Sequence, residues 1–264
     1  MLRAEWGDAS AHAMPFALAD ISLAQSLVIF ATAVVASIIG GMAGYGTGLL
    51  LPLVLVPIIG AEATVPVLGV SALFTNTSRA IALRRALDWR RVLLILPPAI
   101  PTVILAATLF ARLNSRSAAI VIGLVLIALV PVRYALKRLR YRLSAAATVA
   151  SGAVYGLVTG GSTGAGVLLI SILMASGLTG AAVIATDALI SIGIGLAKSM
   201  TFGFNSALPP PLFVFALLVG LSTVPGSFIA QRILARMPVT IQTRMLDAVV
   251  ILGGLMMVVS ALRR

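Results

Sequence analysis

Apolar residues run through this chain in long unbroken blocks, and polar residues fall between them in short clusters. The blocks at 21–39, 63–83, 92–111 and 117–136 each approach the ~20 residues an α-helix needs to cross hydrocarbon. A second series follows at 144–159, 181–202, 212–234 and 244–262. The runs are continuous and do not alternate in ~10-residue pieces, which selects helices over a transmembrane barrel. Pro97, Pro98 and Pro101 are expected to break the third block in its middle, and Pro209-Pro210-Pro211 marks a turn.

Two glycine-rich interruptions punctuate this pattern. Gly40-Gly41-Met42-Ala43-Gly44-Tyr45-Gly46-Thr47-Gly48 ends the first block and leads into a short apolar piece, 49–59, which Pro52 and Pro57 should leave kinked or irregular. Gly160-Gly161-Ser162-Thr163-Gly164-Ala165-Gly166 does the same before 167–177. Neither short piece can span a bilayer. Non-helical backbone at membrane depth is tolerated only where protein packs it or a wet cavity lies beside it. Paired interruptions at matching places in two halves are the sequence pointer to a transporter's binding site.

The halves also match in detail. Gly46-Thr47-Gly48-Leu49-Leu50 aligns with Gly164-Ala165-Gly166-Val167-Leu168, Ala111-Arg112-Leu113 with Ala235-Arg236-Met237, and Pro101 with Pro225. Arg79 falls opposite Lys198 if one single-residue gap is allowed. The expected fold is an all-α polytopic membrane protein of two homologous halves. Each half has about four full spans plus a short glycine-broken half-helix. The boundaries are an N-terminal tail at 1–20, a first repeat at 21–136, a basic cytoplasmic linker at 137–143 and a second repeat at 144–264. Eight spans with parallel halves and ten with inverted halves both fit the loop charges.

Composition agrees with the pattern: 60% of residues are hydrophobic and 10% charged, against ~25% charged in soluble domains. A formal net charge of +12 could suggest nucleic acid, but the cations sit in interhelical clusters, Arg84, Arg85, Arg90 and Arg91, then Arg133, Lys137, Arg138, Arg140 and Arg142. That is the positive-inside pattern, whose partner is anionic lipid. Trp89 suits an interfacial belt. The tail lacks the basic region of a cleaved signal peptide.

Charges inside spans are expensive and therefore candidates for function. Arg79 lies beside a polar stripe of Ser71, Thr75 and Ser78, with Asn76 next to it. Asp187, Ser191, Gly195 and Lys198 fall at i, i+4, i+8 and i+11, which is one helical face. Two cations beside two nests of backbone N–H would suit an anion. The expected substrate contacts are Gly44, Gly46, Gly48, Thr75, Asn76, Arg79, Gly164, Gly166, Ser191 and Lys198, with Asp187 as a proton-coupling carboxylate. The competing readings are that Arg79 and Lys198 snorkel to the interface, that the glycines serve only helix packing, that Asp247 pairs with Arg244, and that Glu62 caps a helix.

Enzyme signatures are missing: the only histidine is His12, there is no cysteine, and no Walker loop or nucleophile elbow occurs. No cofactor or metal is expected, and transport would draw on a gradient. The expected partners are a small anion and lipid head groups, with no nucleic acid and with a homodimer allowed. A passive anion channel or a non-transporting structural subunit is the alternative.

Several segments resemble one family. Gly44-Tyr45-Gly46-Thr47-Gly48-Leu49-Leu50-Leu51-Pro52, Leu73-Phe74-Thr75-Asn76-Thr77-Ser78 and Leu87-Asp88-Trp89-Arg90 are similar to the pattern of the sulfite exporter TauE/SafE family. Ala185-Thr186-Asp187-Ala188-Leu189 and Val224-Pro225-Gly226-Ser227 resemble it again in the second half. The resemblance implies an inner-membrane permease of duplicated halves that moves sulfite, sulfonates or related organosulfur anions, often outward. Gly44-Tyr45-Gly46 is less continuous than the family's usual block, and the loop after Lys198 carries almost no charge.

Overall fold

The computed structural model of the protein describes residues 22–43, 46–138 and 143–233, with a few helical positions between 251 and 262. The tail at 1–20, most of the linker, Gly44 and the span carrying Asp247 lie outside the described residues. Every regular element described is helical: α1 (Leu23–Ala43), α2 (Gly46–Ile59), α3 (Ala61–Ala82), a 3-10 turn at Arg84–Ala86, α4 (Trp89–Phe110), α5 (Ser115–Arg138), α6 (Ala145–Gly160), α7 (Gly166–Ala175), α8 (Ala181–Phe204) and α9 (Pro210–Ile233).

Three of these helices, at Trp89–Phe110, Ser115–Val132 and Ala181–Phe204, are long and apolar enough to cross a membrane. By contrast α7, at 10 residues, extends only about 15 Å and α2, at 14 residues, about 21 Å. Many of the outward side chains are apolar: Leu93, Leu105, Leu157, Met200 and Leu221 are all exposed. Together with helices of spanning length, apolar side chains on the outside of one helix after another make a surface suited to lipid.

Packing crosses between the two series of helices. Ile29, Ala33 and Ala36 of α1 share one core with Leu51 and Leu55 of α2, Val67 of α3, and Phe215 and Val219 of α9. A second core joins Val92, Ile95, Ala99 and Val103 of α4 to Tyr155 of α6, Leu169 and Leu173 of α7, and Ile190 and Ile194 of α8. Thus α9 packs with the first three helices and α4 with α6–α8. The α4–α6 contact is very close. A Cβ at Gly152, Gly156 or Gly160 would sit 2.7, 2.2 or 2.6 Å from the carbonyl oxygens of Ile95, Ala99 and Val103. These glycines recur every fourth residue, the small-residue spacing that lets membrane helices touch backbone to backbone.

Three expectations need correction. First, α4 is one continuous helix and is not broken at its prolines. Its buried stripe of Val92, Ile95, Ala99, Val103, Ala106 and Phe110 keeps helical periodicity straight past them. Pro97 and Pro101 point outward, so tertiary packing on the glycine seam outweighs the lost backbone bonds. Second, α2 stays α-helical through Pro52 and Pro57 and gives way to α3 at Gly60, whose φ of 84° favours glycine. Third, α1 continues through Gly40 and Gly41 to Ala43, so its end lies beyond residue 39.

Candidate functional site

The two interruptions meet. A Cβ at Gly48, in the first turn of α2, would lie 2.8 Å from the backbone nitrogen of Gly164, just before α7. Only glycine allows this approach. Gly164 itself has φ 78°, and a Cβ there would fall 2.3 Å from Leu49 Cδ2. The starts of both short helices therefore stand against each other, flanked by α3 and α8.

A cavity of about 120 Å³ opens at this junction. A water occupies about 30 Å³ of liquid, so the space suits a few waters or one small anion. Gly48, Gly164 and Gly166 line it from the broken segments, Thr75, Asn76 and Arg79 from α3, and Asp187, Ser191 and Lys198 from α8. The structure thus brings together nine of the eleven residues singled out in the sequence. Gly46 is the first residue of α2, and Gly44 lies outside the described residues. Among the stripe hydroxyls, Ser71 turns away and donates to the Ala216 carbonyl of α9 at 3.0 Å.

Neither cation snorkels. Arg79 is 11% exposed and Asp187 1%, and Nη2 of Arg79 lies 3.4 Å from Oδ2 of Asp187. Nη2 also donates to the Asn76 side-chain oxygen one helical turn back. This ion pair ties α3 to α8, one helix from each half of the sequence. Lys198 is buried as well. Its ammonium donates to the carbonyls of Thr159 and Ser162, both at 2.7 Å, and lies 6.0 Å from the centre of the Phe202 ring. These are carbonyls at and just past the end of α6, where a cation is favoured by the helix dipole. Lys198 is therefore tethered to the second interruption, where the sequence reading makes it a substrate contact. With all three groups ionised, the cavity carries one net positive charge.

The polar lining residues that sequence reasoning missed are Thr47, Tyr155, Thr159, Ser162 and Thr163. Tyr155 sits beside the side chains of Ser191 and Thr159. Its signal was weak, since one tyrosine in an apolar helix marks no face. The signal for Thr163 was present, a hydroxyl inside the glycine break. Glu62 occupies the first turn of α3, where an acidic residue favours the helix dipole. Among the described residues no cluster of metal-ligating side chains occurs.

An all-helical chain with lipid-facing apolar helices around a buried charged cavity is an integral membrane protein. The family model described as Sulfite exporter TauE/SafE matches residues 29–257, so the chain belongs to the TauE/SafE sulfite exporter family. Members of that family are membrane transporters, not enzymes. No curated protein and no solved structure matches the chain significantly.

Proposed function

We propose that this protein is a gradient-driven carrier of a small organosulfur or sulfur oxyanion, such as sulfite or a short sulfonate, bound in the cavity between the two interrupted helices. The observation that carries the reading is the meeting of Gly48 and Gly164 beside Arg79, Lys198 and Asp187. Two helix N-termini, two cations and several hydroxyls converge there on a space of anion size. Asp187 is the coupling group. While ionised it holds Arg79, and protonation releases the guanidinium toward an incoming anion. Competition between carboxylate and substrate for one cation couples the two events, because each favours the other's departure.

In this reading the chain is duplicated, with 21–136 and 144–264 as the two repeats, and it crosses the inner membrane several times. The parallel between the core of α1–α3 with α9 and that of α6–α8 with α4 supports duplication. The test is flux of labelled sulfite and a short sulfonate into proteoliposomes, with and without an imposed pH gradient. Saturable flux that follows the gradient, and loses that dependence in Asp187→Asn, is expected. Flux that rises linearly without saturation identifies a channel, and no flux for any anion removes the substrate assignment.

A further inference from the structure

Among the described residues two buried hydroxyls, Thr163 Oγ1 and Ser199 Oγ, have no hydrogen-bond partner, and of the two only Thr163 lines the cavity. Thr64, Ser71, Thr148, Ser151, Ser171 and Thr201 each donate to the carbonyl four residues back. That is the usual fate of Ser and Thr in a helix surrounded by hydrocarbon. Thr163 departs from it. It is 5% exposed, lines the central cavity, and its Oγ1 has no hydrogen-bond partner among the described residues. Burying a hydroxyl without a partner is unfavourable by enough that such a group needs an explanation.

Its neighbours explain why Thr163 cannot satisfy itself. The Thr159 carbonyl, four residues back, already receives Lys198 Nζ, as does the Ser162 carbonyl. Ser162 Oγ is committed to the Val158 carbonyl. Gly164 follows with φ 78° and turns the chain into α7. That helix is 10 residues long and has no side-chain cap at its start. Its first turn closes on backbone instead, the Val167 and Leu168 amides donating to the Gly164 and Ala165 carbonyls at 3.5 and 2.9 Å, and the positive end of its dipole faces the break. A fixed hydroxyl and a helix start face one cavity, beside a lysine that holds the intervening backbone in place.

We propose that the second interruption is the seat of the substrate's oxygens: an oxyanion places an oxygen on the Thr163 hydroxyl, with its charge at the positive end of α7. This deepens the carrier reading and rests on it. Arg79, already engaged by Asp187, then acts in coupling, while Thr163 supplies selectivity for oxyanions over halides. A sulfite or sulfonate group can accept from the Thr163 hydroxyl through one oxygen while its other oxygens meet the positive start of α7; a spherical halide has no such geometry. Lys198 is a positioning residue, since it binds the carbonyls that flank Thr163 and adds positive charge nearby.

The test is thermal stabilisation of the purified, detergent-solubilised protein by sodium sulfite, with sodium chloride at matched ionic strength as reference. Wild type, Thr163→Val, Thr163→Ala and Thr163→Ser are titrated in parallel. A hydrogen bond to a charged ligand corresponds to a loss of about 10- to 100-fold in affinity when its donor is removed. Thr163→Val and Thr163→Ala should show that loss for sulfite, and Thr163→Ser should recover it. The weak chloride response should stay the same in all four proteins. If Thr163→Val fails to fold, Thr163→Ala carries the comparison. Sulfite binding in wild type that both variants retain overturns the Thr163 seat and leaves the carrier reading standing. Absence of any sulfite-specific stabilisation in wild type overturns both.

Discussion

Cutting the Arg79–Asp187 pair from one side leaves a buried charge with its counter-ion gone. At the observed separation of 3.4 Å, two unit charges attract by about 5 kcal/mol at an effective dielectric of ~20. Both side chains are almost wholly inside, so solvent weakens this little. Removing one member of a buried pair is destabilising by about 3–5 kcal/mol, whereas neutralising both is far milder. Arg79→Gln and Asp187→Asn should therefore each lower the melting temperature by on the order of 10 °C. The double variant Arg79→Gln/Asp187→Asn should recover most of that loss. Scanning fluorimetry on all four proteins in one detergent gives the cycle, and the coupling is read as the departure from additivity. Single variants within a degree of wild type, or losses that simply add in the double, would refute the idea that this pair bridges α3 and α8 in the buried interior.

Two further consequences concern packing and the second interruption. Gly156→Ala places a methyl 2.2 Å from the Ala99 carbonyl oxygen, so the α4–α6 seam must open and folded yield should fall sharply in size-exclusion profiles. Gly69→Ala, whose nearest neighbour would be Ser199 Oγ at 3.5 Å, should fold like wild type, and equal behaviour of the two variants would refute the seam. Lys198→Met unties the carbonyls of Thr159 and Ser162, so amide exchange at residues 162–165 should rise while that of α1 stays unchanged. Unaltered exchange there would mean the tether does not hold the break.

Much of this arrangement could be read before any coordinates. Block length gave the helices to within a few residues, and glycine clusters gave the two interruptions. Helical spacing placed Asp187, Ser191, Gly195 and Lys198 on one face, and all four do line one cavity. What stayed hidden depends on register between helices. Spacing within α3 and α8 cannot reveal that Arg79 meets Asp187, because that distance is set by how the two helices pack. Nor could it show that Lys198 reaches back to Thr159, 39 positions earlier. The prolines of α4 misled because local propensity was weighed without the seam at Gly152, Gly156 and Gly160, whose four-residue spacing was itself visible. Thr163 was passed over because its meaning lies in the acceptor it lacks, which only packing discloses.

The cavity joins these strands: the glycines permit the two short helices to meet, and the charges beside them stay buried because Arg79 pairs with Asp187 and Lys198 binds the carbonyls of Thr159 and Ser162. Its role as the substrate site is tested most directly by filling it. Ala72 lines the cavity from α3, and Ala72→Leu projects three extra carbons into a space of about 120 Å³. Saturable flux of labelled sulfite into proteoliposomes is measured for wild type and for this variant at equal reconstituted density. Saturable wild-type flux that disappears in Ala72→Leu, with the variant still folded and monodisperse, is the predicted result. Undiminished sulfite flux through the filled protein would contradict the account at its centre.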